Sequence, residues 1–423
     1  MSFVFLKKIC NNEVMRAAYW AWLSVAIFYF YQYILRIAPG VMVDQMMSGF
    51  MIKAEQFSTL GFLDTFAYGI MQIPLGIIVD RIGVKKTVLS SLGLCIIASF
   101  IYAVSEYFWM IQLSRTLSGI GSAAAFMCAL KTIADHFIPG QRAVLMGLTL
   151  TIGMCGALFA GKFIITVIEV YDWRYVFFAT SILGIIIMLF SCRTLATYSA
   201  NKKSKKPTNI SFINSVWKVM TNYNIIIYAI LAIGLYVPLS VLADLWGTAF
   251  MQQKYGFSQA DSAYISSLLY FGLGIGSVVL PWIAEKNNML NTAIFWCGLA
   301  ILSLFSLLLY SDNLSYNQIS AIMLGLGFFC GAEMMCFTGA LLFADENNSG
   351  EVIGVVNTFN MLGGSFMKYW VGISLDATWE GAVQPNGLRF YSAEQYVEAL
   401  SMLTLLIMLC CVVSMLLFVK QRS

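Results

Sequence analysis

The chain has 423 residues, of which 60% are apolar and 11% charged. Soluble domains are about 45–50% apolar and about 25% charged, and no compact shape of this size hides the excess. A mean hydropathy of +0.79 excludes a soluble enzyme and a disordered chain. A formal net charge of +4 is too small for a nucleic-acid binder.

A membrane-spanning helix needs roughly 20 apolar residues. In chain order, the runs at 18–44, 57–79, 87–105, 108–134, 143–168 and 173–192 meet that length. So do those at 224–250, 261–284, 290–310, 317–343, 352–376 and 397–419. These twelve runs predict an all-α membrane protein. The first is too long, and lacks the cleavage site, to be a signal peptide. Most of the ten Cys lie inside apolar runs and none has zinc-ligand spacing. They read as buried apolar side chains, with no metal and no cofactor.

The spacer 193–221 carries Lys202, Lys203, Lys205 and Lys206 and divides the runs into two sets of six. The expected organisation is a six-helix bundle over 1–192, a cytoplasmic linker over 193–221 and a second bundle over 222–423. With the N-terminus inside, sixteen Lys and Arg fall in inside segments and four outside, namely Lys53, Arg174, Lys254 and Arg389. Such a bias places both termini in the cytoplasm.

The halves repeat. Gly119-x-Gly121 matches Gly325-x-Gly327, and Gly147, Thr151, Met154 and Gly156 match Gly354, Thr358, Met361 and Gly363. Pro39 and Pro74 have counterparts in Pro238 and Pro281. Duplicated six-helix halves are a transporter architecture with the site between them.

The loop after the second run reads Gly76-Ile-Ile-Val-Asp80-Arg81-Ile-Gly83-Val-Lys85-Lys86. It resembles the signature loop of the major facilitator superfamily. Arg115-x-x-x-Gly119-x-Gly121-x-Ala123 is similar to that superfamily's fourth-span pattern, and Asp172-Trp173-Arg174 to the start of its sixth. The stretch Tyr31 to Met42, with Arg36 and Pro39, resembles the first span of the phagosomal nutrient transporters of intracellular bacteria. The resemblance implies two pseudo-symmetric six-helix bundles working by alternating access. It assigns conformational gating to Gly76, Asp80, Arg81, Gly83, Lys85 and Arg142. Gly76 is expected to let helices approach closely, Asp80 to face a helix N-terminus or an Arg, and Gly83 to make a tight turn.

Charges inside a bilayer are expensive and mark function. Counted at 1.5 Å per residue, Arg36, Asp64, Arg115, Lys162, Asp244 and Lys368 share one layer, with Glu333 deeper. Excess positive charge there calls for an anion, and a planar Arg suits a carboxylate. Arg36, Arg115, Lys368, Asn360 and Tyr33 are the expected substrate ligands. Glu333 is the first candidate for a coupling proton, because burial favours the neutral acid, and Asp64 is the second. As alternatives to a functional role, Arg36 can pair with Asp64, and Asp244 can be an interface residue near Trp246. Lys131 is expected to pair with Asp135 four residues on.

The expected function is proton-coupled uptake of a small carboxylate-bearing nutrient, such as an amino acid, by a monomer in a bacterial inner membrane. The alternatives are an organic-anion or carboxylate-type siderophore transporter, a multidrug or metabolite exporter, and a transport-dead sensor. An ATP-driven pump is excluded by the lack of a phosphate-binding Gly-Lys-Ser/Thr loop.

Overall fold

The computed structural model describes residues 13–199, 209–345 and 348–422. The four linker lysines and the side chain of Lys162 lie outside the described residues. Among those described there are sixteen α-helices. The first half holds α1 (Glu13–Val41), α2 (Val43–Phe50), α3 (Ala54–Ala103), α4 (Phe108–Ser122), α5 (Ala124–His136), α6 (Pro139–Ile168) and α7 (Arg174–Ser199). After α8 (Asn209–Met220), the second half holds α9 (Tyr223–Val241), α10 (Gly247–Tyr255), α11 (Gln259–Lys286) and α12 (Leu290–Tyr310). It ends with α13 (Tyr316–Cys330), α14 (Glu333–Leu341), α15 (Ser349–Ala377) and α16 (Ala393–Arg422).

Among the described residues, ten helical stretches are long and apolar enough to cross a membrane. The 50-residue α3 holds two of the expected runs, divided at Gly83, whose φ of 81° is a conformation that L side chains rarely adopt. α15 falls outside the ten. Its stripe of Asn357, Asn360 and Lys368 lowers its hydropathy, although Asn360 and Lys368 are buried. α9 runs through a π-helical turn, Leu242–Trp246, into α10.

Some of the matched glycines fix the packing, although Gly147 and Gly354 do not. A Cβ on Gly119 would sit 2.1 Å from the backbone oxygen of Asp64, so only glycine lets α4 lie against α3. In the second half Gly327, the counterpart of Gly121, brings α13 against α11, since a Cβ there would sit 2.1 Å from the oxygen of Leu269, whereas Gly325, the counterpart of Gly119, faces only the Leu304 side chain. Shortly after each glycine pair the helix is interrupted, at Ala123 and at Gly331–Ala332. At the second of these the backbone stays helical but tightens, Met334 donating to Gly331 O at 3.2 Å and Met335 to Ala332 O at 2.9 Å, and Glu333 lies just past this tight turn in the middle of a span.

The halves meet closely at the end away from the termini. There α3 of the first half begins against the second. The N–H of Glu55 donates to Asp376 Oδ2 at 2.9 Å, and that of Ala54 to the Tyr391 hydroxyl at 3.2 Å. Gln259 Nε2 donates to Val41 O at 2.7 Å. Deeper down, Ser365 donates to Phe62 O at 2.8 Å and Thr358 to Gly69 O at 3.0 Å.

Candidate functional site

Arg115 is built into the first half. Pro39 has no N–H for the carbonyl of Leu35, four residues back in α1, and Arg115 Nη1 donates to that carbonyl at 2.7 Å. Its Nε donates to Leu60 O at 3.2 Å and its Nη2 to Arg36 O at 3.4 Å. Nη2 also meets Asp64 Oδ2 at 3.1 Å, and both side chains are buried. Asp64 thus pairs with Arg115 and not with Arg36. Equal depth placed all three in one layer, and the Gly119 contact decides which helix Asp64 faces.

Lys368 is engaged in the same way. Its ammonium lies 2.6 Å from Asp244 Oδ2 and 2.6 Å from Thr65 Oγ1. Asp244 also accepts from Ser240 at 3.3 Å and from the Tyr270 hydroxyl. Of the two roles open to Asp244, the structure supports a charge of the buried layer, since it is 2% exposed and pairs with Lys368. Sequence reasoning missed this pairing. The shared depth of Asp244 and Lys368 was a signal for it, whereas nothing in the sequence singled out Thr65.

Arg36 is different. It is 5% exposed, and its Nε and Nη2 have no hydrogen-bond partner. Its guanidinium lies over the Tyr68 ring at 4.7 Å and the Tyr33 ring at 5.5 Å. Tyr33 also meets Tyr29 through a hydroxyl contact of 3.3 Å and the Tyr270 ring at 5.2 Å. Among the described residues no carboxylate forms an ion pair with Arg36, although Asp244 and Glu333 lie within electrostatic reach. A buried cation without an anion is costly, and a bound anion relieves that cost.

Glu333 has a partner that its own helix did not reveal: Asn360 Nδ2 of α15 donates to Glu333 Oε2 at 2.9 Å. Asn360 Oδ1 and Gln72 Nε2 are buried without partners. Arg36, Tyr33, Glu333 and Asn360 therefore lie around one region between the halves, while Arg115, Asp64 and Lys368 are held in ion pairs.

In the loop at Gly83, Asp80 pairs with Lys131 of α5 at 2.7 Å. This corrects one expectation, because Asp80 meets a Lys in place of an Arg or a helix end, while Asp135, four residues from Lys131, stays within its electrostatic reach. Arg142 donates to Phe137 O at 2.7 Å and Ala134 O at 2.9 Å, covering the last carbonyls of α5. A Cβ on Gly76 would meet nothing within 4 Å, so close helix approach is not what that glycine provides. Arg81 is exposed and Lys85 half-buried, on either side of the Gly83 turn.

The family model for the Major Facilitator Superfamily matches residues 21–367. The chain belongs to that superfamily of multi-pass membrane transporters. It is 23% identical over 158 residues to the Uncharacterized transporter YybO of Bacillus subtilis, which covers 37% of this chain and 36% of YybO. The chain thus spans about a third of that relative. It is 19% identical to the Gentisate transporter of Corynebacterium glutamicum over 84% of this chain and 81% of that one. Its fold is similar to that of a bacterial homologue of the human lysosomal transporter Spinster, solved inward-facing and unoccupied. The TM-score is 0.73 at 16% identity, over 96% of this chain and 97% of the other.

Proposed function

We propose that the protein is a proton-coupled secondary transporter that takes up a small carboxylate-bearing nutrient, such as an amino acid. It works by alternating access between bundles at 1–192 and 222–423, as a monomer in a bacterial inner membrane with both termini cytoplasmic. The observation that carries the reading is Arg36, a buried guanidinium with two unpartnered nitrogens and, among the described residues, no ion-paired carboxylate. A substrate carboxylate supplies the missing anion, and Tyr33 and Tyr68 form the wall around it.

Glu333 carries the coupling proton. It stands just past the tight turn at Gly331–Ala332, one hydrogen bond from Asn360 and within electrostatic reach of Arg36. Charge on Glu333 and charge on the substrate therefore act on the same guanidinium. Asp64 is the weaker candidate, since Arg115 already balances it. Arg115 positions the backbone that carries Arg36.

The test is counterflow beside gradient-driven uptake in proteoliposomes. Glu333→Gln mimics the protonated acid, so it keeps substrate exchange and loses accumulation driven by pH. Accumulation that persists rejects Glu333 as the coupling group. A second reading, an organic-anion transporter, is favoured by the tyrosine rings around Arg36 and by the likeness to a gentisate transporter. A thermal-shift screen against amino acids and aromatic acids separates the two.

A further inference from the structure

Lys368 and Asp244 both belong to the second half, and Thr65 belongs to the first. The ion pair is assembled from within its own half. Ser240 and Tyr270 donate to Asp244, and the Trp246 indole donates to the Lys368 carbonyl at 3.0 Å. One further hydrogen bond, from Lys368 Nζ to Thr65 Oγ1 at 2.6 Å, crosses to the other half. The same turn meets the first half through its backbone, because a Cβ on Gly40 would lie 2.5 Å from Asp244 O. Tyr270, bound to Asp244, meets the ring of Tyr33 in a T-shaped contact, and Tyr33 flanks Arg36.

We propose that the Asp244–Lys368 pair is the inner lock of the end at which the halves meet. Asp244 aims the ammonium, and the ammonium holds Thr65 of α3 against α15. Tyr270 joins the lock to the wall of the site around Arg36. When that end opens, Thr65 leaves Lys368 while the ion pair stays whole inside the second half. Neither charge is then stranded in the membrane, which would be the costly event. Lys368 is thus a positioning residue for the conformational cycle and not a substrate ligand. The proposal does not depend on what the substrate is.

The full chain in lipid nanodiscs, spin-labelled through Ser48→Cys and Ala260→Cys, tests it. Both positions are exposed at that end, one on each half. Thr65→Val removes the acceptor and leaves the ion pair intact. It should raise the ratio of open to closed populations in the label distances by about tenfold or more, the worth of a hydrogen bond from a charged donor. Thr65→Ser keeps the hydroxyl and should return the wild-type distribution. The neutral double variant Asp244→Asn with Lys368→Met should open that end as Thr65→Val does. An unchanged distribution in Thr65→Val overturns the lock. So does a Thr65→Ser variant as open as Thr65→Val, since packing and not the hydrogen bond would then hold the end shut.

Discussion

Replacing each of the two membrane arginines by glutamine separates anchoring from binding. Arg115→Gln removes the Asp64 ion pair and the donors to Leu60, Leu35 and Arg36. Breaking a buried pair from one side costs about 3–5 kcal/mol. The Leu35 carbonyl, which Pro39 cannot serve, adds about 1–3 kcal/mol if left without a donor. The variant should melt well below the wild type, and adding Asp64→Asn should recover part of the loss. Arg36→Gln breaks no ion pair, and two of the guanidinium nitrogens it removes had no partner. Its melting temperature should hold or rise, while affinity for a carboxylate substrate falls about 10- to 150-fold, or about 1.5–3 kcal/mol. Arg36→Lys should recover the affinity only in part, because the planar fork is gone. Melting curves and calorimetric titration on the purified protein read both quantities. Arg115→Gln with normal melting and lost affinity, or Arg36→Gln with lost melting and normal affinity, would refute the division.

Two further outcomes are expected. Asp80→Asn should slow exchange while leaving equilibrium affinity unchanged, because the Asp80–Lys131 pair is half-exposed and contributes about 1 kcal/mol or less to stability. Lost binding with normal exchange would count against this. A cysteine at Lys205 should be labelled by an impermeant maleimide only from the cytoplasm, and one at Gln384 only from outside. Labelling of position 205 from outside inverts the orientation.

The spans were legible because apolar length is a local property, and the repeat because glycine pairs mark places where backbones touch. α15 illustrates the point. Its hydropathy alone leaves it outside the apolar helices, but the spacing of Asn357, Asn360 and Lys368 was visible as one stripe. Depth was also legible, and it placed Arg36, Asp64, Arg115, Asp244 and Lys368 in one layer without saying which of them pair. Azimuth was not. Which way a side chain leaves its helix depends on contacts such as Gly119 against Asp64, made between residues far apart in the chain. Lys131 shows the same limit, since its four-carbon stem reaches Asp80 on another helix as easily as Asp135 on its own.

The start of α3, capped by Asp376 and Tyr391 from the opposite half, bears on what it costs to part the halves at that end. The first N–H groups of any helix have no partner within it. Parting the halves at that end therefore uncovers donors that water satisfies at once, and no helical ladder is broken. Exchanging a protein cap for solvent alters the free energy by only about 1 kcal/mol. A joint of this kind unfastens without unfolding, so this contact adds little to the cost of parting the halves at that end.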